Sequence, residues 1–243
     1  MPLVNFVRPM TEGESFFRGL QKTSVIDFPK KIAAVLFVGG CNFRCPYCYN
    51  VSLVEKTAPC ISWEEVFAFL LRRQKILDGL CVSGGEPTLV PFLTDFLRKV
   101  KSMGYLVKLD TNGYRPEVLR ELLHEGLLDY VAMDVKNSPQ KYTITSGVFP
   151  LDLQLLKTSI ELIKAAGVDY EFRTTLSTEL VSLADIDAMA DFVGGGKTFA
   201  LQAVSSTHST LSGRKFTPPN QAALQEMRQA LATRFQEVVV RAM

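Results

Sequence analysis

Within eight residues the chain carries Cys41-Asn42-Phe43-Arg44-Cys45-Pro46-Tyr47-Cys48, three thiols at C-x3-C-x2-C spacing. An iron-sulfur cubane normally takes four cysteine ligands. Three therefore leave one iron open to a substrate or cofactor, as catalytic zinc keeps one open position. The competing reading is a zinc knuckle, which would want a fourth Cys or His at knuckle spacing. The nearest candidate is Cys60, twelve residues on and past Pro59. The triplet points to chemistry more than to structure, provided the rest of the chain builds a pocket beside it.

The elements that must position these thiols follow from the periodicity. Short apolar, β-branched runs at 32–38, 79–83, 105–110, 128–135, 168–175 and 198–204 alternate with helical patterns at 62–74, 91–103, 116–125, 152–166 and 182–193. Ser62 with Glu65 three residues later is a capping box, and Gly104, Gly126 and Gly167 punctuate helix ends. Strand, helix, strand repeated about six times predicts an α/β fold with a parallel sheet. The run Ala33-Ala34-Val35-Leu36-Phe37-Val38 fits a strand covered on both faces.

Six such units are too few for a closed eight-stranded barrel, and the choice lies between an open doubly wound sheet and a partial barrel. In barrels the functional residues sit at the C-terminal ends of many different strands. Here Cys41 follows the first strand, Gly84-Gly85-Glu86-Pro87 the second and Asp110-Thr111-Asn112-Gly113 the third. Asp134-Val135-Lys136 closes the fourth, Arg173 the fifth and Gln202 the sixth. The expectation is a partial (β/α)6 TIM-like barrel with a C-terminal cap. Residues 1–18 read as an N-terminal extension and 19–243 as a single domain, with its core at about 30–204 and a C-terminal helix and strand at 213–243.

Each strand end also has a plainer reading. Gly84 to Pro87 is a possible simple turn, since Gly and Pro are the strongest breakers; against that, two glycines let backbone approach a ligand closely, and Glu86 can accept from an ammonium. The Asn112-Gly113 pair alone would signal a hairpin, but the segment after it is helical. Asp134 and Lys136 stand two apart on a strand and share a face, either as a surface ion pair or as a charged wall of a site. Two inward carboxylates, Asp110 and Asp134, need compensation and could share a cation. Arg173 has two readings, a salt bridge with Glu171 or a fork for a ligand carboxylate. Cys81 reads as an inert core thiol, Cys60 as a loop thiol, and the Phe-rich helix around Phe67 and Phe69 as core.

Composition removes several classes. With 27 Lys plus Arg against 25 Asp plus Glu, a net charge of +2 gives no footprint of a nucleic-acid binder. No apolar run reaches the length of a membrane span, and the N-terminus lacks a signal-peptide pattern. Five cysteines, three of them bunched, suit a reducing compartment better than a disulfide framework. A cytoplasmic protein follows, with no nucleic-acid or membrane partner.

The cysteine spacing, with an aromatic before the last Cys, resembles the radical S-adenosylmethionine (SAM) superfamily, as does Gly84-Gly85-Glu86-Pro87. The resemblance implies a 4Fe-4S cluster on Cys41, Cys45 and Cys48, and SAM on its open iron, cleaved by one electron to a 5′-deoxyadenosyl radical. It implies a SAM pocket of Tyr47, Gly84, Gly85, Glu86, Pro87, Asp110, Thr111, Asn112, Asp134, Lys136, Arg173 and Gln202. It also implies Lys136 or Arg173 against the SAM carboxylate, and a monovalent cation near Asp110 and Asp134. The stretch from Gly19 to Pro29 followed by Gly40 to Asn50 is similar to the activating proteins of anaerobic ribonucleoside-triphosphate reductases, and the likeness runs to about Gln202. It implies a glycyl-radical partner, an anaerobic ribonucleotide reductase, and a flavodoxin or ferredoxin as electron donor. Alternatives are activation of a pyruvate formate-lyase type partner and a small-molecule enzyme such as 7-carboxy-7-deazaguanine synthase. One departure is Tyr49, where relatives usually have His.

Overall fold

In a computed structural model the protein is described from residue 16 to residue 241. Most of the expected extension at 1–18 lies outside the described residues. In order along the chain come β1 (Phe17–Ser24), β2 (Ala33–Val38), α1 (Val51–Val54), α2 (Trp63–Arg73), β3 (Gly79–Gly84), α3 (Leu93–Ser102), β4 (Leu106–Thr111) and α4 (Pro116–His124). They are followed by β5 (Tyr130–Asp134), α5 (Tyr142–Ser146), α6 (Leu153–Ala165), β6 (Asp169–Leu176), α7 (Leu183–Val193), β7 (Gly196–Ala203), α8 (Gln221–Ala232) and β8 (Phe235–Arg241).

The strands form one sheet in sequence order, and β1 and β8 are its two edges. Strand β1 runs antiparallel to β2, whereas every neighbouring pair from β2 to β8 is parallel. The partial barrel expected from the sequence is present, and its six strands are β2 to β7. The C-terminal apolar stretch adds β8 as a further parallel strand, so this part of the expected cap belongs to the sheet wall. Strand β1 begins before the expected boundary at residue 19, because its polar sequence FRGLQKTS carries little strand signal. A polar, half-solvated edge is how sheets discourage pairing with other chains.

Alternation within each parallel strand divides two environments. In β4, Val107 and Leu109 face outward and are completely buried under the helices, while Lys108 and Asp110 face the lumen. The outward layer continues through Leu36, Val82, Val131, Met133, Phe172 and Leu201. Phe96 of α3 anchors it near β1, packing against Phe17 at 4.8 Å, Phe67 at 5.2 Å and Trp63 at 5.4 Å between ring centres. The predicted capping box starts α2: Ser62 Oγ accepts from the Glu65 amide at 3.1 Å and Glu65 Oε2 from the Ser62 amide at 2.9 Å.

Candidate functional site

The ends of β2 to β7 surround a cavity of about 440 Å³ in the lumen, within the range of small-molecule sites. The loop after β2 contributes Cys41, Cys45, Tyr47 and Cys48 to its wall, β3 and its exit Gly84, Gly85 and Glu86, and β4 and its exit Asp110, Thr111 and Asn112. Asp134 and Lys136 come from β5 and its exit, Arg173 from β6 and Gln202 from β7. Of the residues singled out in the sequence only Pro87 stands behind the wall, buried at the start of the short turn Pro87–Leu89.

Backbone contacts from distant segments shape the cysteine loop. The Gly40 amide donates to Leu53 O at 2.8 Å and the Arg44 amide to Ser146 O at 2.7 Å. A strap that follows β7 closes the other side, with the Leu211 amide donating to Cys48 O at 2.8 Å and Ser212 Oγ to Pro46 O at 2.8 Å. Phe216 of the strap meets the Tyr47 ring edge-on at 6.3 Å. The departure at Tyr49 has a neighbour in the same strap, since its ring lies 5.5 Å from that of His208.

The glycines of the β3 exit serve a purpose the sequence did not disclose. A methyl group on Gly85 would lie 1.9 Å from Gly40 O, and the Glu86 amide donates to that same carbonyl at 2.8 Å. Gly84 has φ +112, and a Cβ there would meet the Val38 backbone at 2.5 Å. The close approach is thus made by the cysteine loop itself, and glycine is required for the two strand exits to run side by side.

Glu86 is fully buried and acts as a brace. Its Oε1 accepts from Thr88 N at 3.1 Å, Thr88 Oγ1 at 2.6 Å and Thr111 Oγ1 at 2.7 Å, and its Oε2 from the Asn112 amide at 2.7 Å. Burial raises its pKa, and these four donors oppose the rise. Asn112 in turn donates through Nδ2 to Asn42 Oδ1 at 2.7 Å. Most of the hydrogen-bonding capacity of this Glu, Thr and Asn therefore holds the β2, β3 and β4 exits together.

Charge gathers where β4, β5 and β6 end. Arg173 Nε donates to Asp134 Oδ1 at 2.9 Å and its NH1 to Asp110 Oδ2 at 3.2 Å. Lys136 Nζ holds Asp134 Oδ2 at 2.9 Å, Ser83 Oγ donates to Asp110 Oδ2 at 2.9 Å, and Lys108 Nζ donates to Asp110 Oδ1. Burial would raise both carboxyls; Arg173, helped by Lys108 at Asp110 and by Lys136 at Asp134, outweighs it and holds both below the usual range. The alternative pairing of Arg173 with Glu171 gives way to a different one. Glu171 is held by both terminal nitrogens of Arg241 on β8, at 2.8 and 2.7 Å. Nor is the Asp134 and Lys136 pair a surface one, since both line the cavity.

Several wall residues had been passed over: Ser83, Thr175, and Gln21 and Asp27 from β1 and its turn. Lys108, too, was unremarked. An inward Lys two residues before an inward Asp on one strand was the available signal.

The donor set suits an iron-sulfur cluster with one open position. Three thiols and no histidine line the cavity, with Cys60 exposed elsewhere and Cys81 buried outside the lining. As placed, the thiols occupy the wall separately and do not converge at metal-binding spacing. Their local contacts are weak: Cys41 Sγ accepts from the Phe43 amide at 3.3 Å and Cys45 Sγ lies 3.9 Å from Ser146 O. Burial pushes Cys41 up to about 12 and raises Cys45 as well, so a metal binding here must displace their protons. The Tyr47 hydroxyl is buried in the same wall beside the Cys45 thiol and makes no hydrogen bond of ordinary geometry among the described residues, so a bound polar group can satisfy it.

The model of the radical SAM superfamily matches residues 35–193. A Methanocaldococcus jannaschii protein whose name places it among the glycyl-radical enzyme activating enzymes is 37% identical over 192 residues, 76% of this chain and 78% of its own. The chain is a radical SAM enzyme of the glycyl-radical-activating family. A pyruvate formate-lyase-activating enzyme of Clostridium pasteurianum is 33% identical over 124 residues, 49% of this chain and 51% of that one. This radical SAM enzyme also shares its fold with a radical SAM methyltransferase from Sphaerobacter thermophilus, at a TM-score of 0.68 and 16% identity over 88% of this chain and 67% of that chain. Among the described residues no helix is long and apolar enough to cross a membrane.

Proposed function

We propose that the enzyme holds a 4Fe-4S cluster on Cys41, Cys45 and Cys48, cleaves SAM reductively, and installs a glycyl radical on an anaerobic (class III) ribonucleotide reductase. When bound, the cluster and SAM supply one electron and a carbon radical that takes hydrogen from a glycine. The chain's own residues do the rest. Lys108, Arg173 and Lys136 against Asp110 and Asp134 leave the wall with one excess positive charge toward a carboxylate. The brace of Glu86, Thr111, Asn112 and Asn42 fixes the cysteine loop against the β3 and β4 exits. An unclosed sheet, with β1 and β8 each lacking a partner on its outer side among the described residues, leaves a lateral way in for a partner's loop.

The observation that carries this reading is one cavity lined both by three cysteines of a single loop and by the Asp110, Asp134, Lys136 and Arg173 network. The reductase is favoured by the likeness of Gly19 to Pro29 and Gly40 to Asn50 to its activating proteins. A pyruvate formate-lyase type partner is the second reading, supported by the C. pasteurianum relative. A flavodoxin or ferredoxin is the electron donor of this scheme.

The test is anaerobic reconstitution with iron and sulfide, then SAM and dithionite. Methionine and 5′-deoxyadenosine are expected. With each candidate partner added in turn, a glycyl doublet in electron paramagnetic resonance identifies the target. SAM left intact by an iron-loaded protein would sink the proposal.

A further inference from the structure

Two carboxylates facing one lumen repel each other, and a shared cation is the ordinary remedy. In this chain the remedy is covalent. Lys108 of β4 lies in register between Cys81 of β3 and Tyr130 of β5 and is 2% exposed. Its ammonium donates to Asp110 Oδ1, sits 3.7 Å from Cys81 Sγ and lies 5.9 Å from the centre of the Tyr130 ring. Every neighbour it meets is inside the barrel. A lysine buried to this degree is rare unless paired. Burial alone would favour its neutral form, but the adjacent Asp110 carboxylate outweighs that and keeps it charged.

The geometry around Asp110 explains why an ammonium is wanted there. Arg173 reaches diagonally across β5 to Asp110 Oδ2, over a strand whose inward residue in register with Asp110 is only Ala132. Oδ2 also has Ser83, so the other oxygen, Oδ1, is satisfied by Lys108 alone. The wall then holds two carboxylates and three cations, Lys108, Arg173 and Lys136. Without Lys108 the inner oxygen of Asp110 would lack a donor, and Asp110 would have only the Arg173 guanidinium that it shares with Asp134.

We infer that Lys108 is a built-in counter-ion, a tethered ammonium standing where an alkali metal ion would otherwise neutralise Asp110, so that SAM binds this enzyme without a monovalent cation. The inference rests on the proposed function for the identity of the ligand and assigns to Lys108 a positioning role, exerted through Asp110 and Arg173. It also replaces the cation expected from the sequence with a residue of the chain.

The test compares cluster-loaded wild type and Lys108→Met in tetramethylammonium chloride and in potassium chloride at equal ionic strength, with SAM affinity read by equilibrium dialysis. Wild-type affinity is expected to be the same in both salts. The variant is expected to lose about tenfold or more in tetramethylammonium and to regain most of it in potassium. Wild-type affinity that rises about tenfold with potassium, a variant that binds normally in both salts, or a loss that potassium does not repair each overturns the inference. Melting of the metal-free proteins gives a readout that needs no SAM. Potassium should raise the midpoint of Lys108→Met by a few degrees and leave that of the wild type unchanged, and equal shifts in the two proteins count against the counter-ion. A variant that folds only in potassium supports it, and one that folds in neither salt opposes it. Absence of 5′-deoxyadenosine from the wild type in every salt strikes the proposed function, while the melting comparison still decides the role of Lys108.

Discussion

Leu109 and Asp110 are adjacent on β4, yet they belong to different kinds of interior. Leu109 joins a continuous apolar layer under the helices, where any side chain of suitable volume satisfies the packing. Asp110 faces a lumen where Lys108, Ser83 and Arg173 each hold one of its oxygens. The outer face is specified by size and period. By contrast, the inner face is specified by the pairing of individual charges, and an error there leaves an uncompensated ion.

The sharpest way to separate the two faces is to disable the lumen without touching the outer layer. Cys45→Ala is expected to abolish the brown absorbance of the reconstituted cluster and all 5′-deoxyadenosine formation, with the urea midpoint of the metal-free protein almost unmoved. Residual cleavage would show that Cys45 is not a ligand. The reciprocal change is Phe96→Ala, which opens a cavity among Phe17, Trp63 and Phe67. It should cost about 3–5 kcal/mol in urea unfolding while SAM cleavage per folded molecule stays near wild type. If cleavage fell in proportion to stability, the two faces would be energetically one.

Arg173→Met tests whether inner charges behave as a unit. Removing the guanidinium leaves Asp110 and Asp134 with one lysine each, and about 3 kcal/mol of stability should be lost. Part of that loss should return on mild acidification, as one carboxyl is protonated. Asp185 of α7 gives the smallest effect and lies away from the cavity. Although burial opposes it, Lys141, Ser182 and Ser138 together hold its carboxyl down at about 2. A lowered folded-state value stabilises above the unfolded value and is lost as pH falls through the folded one. Acid titration of Asp185→Asn against wild type should therefore differ by at most about 2 kcal/mol, and the difference should vanish between about pH 4 and pH 2.

The six central strands and the site's outline were legible because both follow pattern and motif: short apolar, β-branched runs marked β2 to β7, and polar residues at their ends marked the wall. What escaped were features fixed by partners far along the chain. Strand β1 is polar because it is an edge, and the expected C-terminal strand carried no sign in its own sequence that it would join the sheet beside β7 as β8. The strap that reaches Pro46 and Cys48 has no regular period to detect. Glu86 and Asn112 were recognised as site residues, but their occupation in bracing neighbouring loops depends on contacts that no spacing encodes. Lys108 was missed for a simpler reason, since a lysine in a strand ordinarily faces water.

The bond from Ser212 to Pro46 spans 166 positions of the chain. During translation Pro46 emerges 166 positions ahead of the residue that closes its loop. A nascent polypeptide therefore exposes three thiols before they have a complete enclosure, and protected metallation has to await synthesis of the strap.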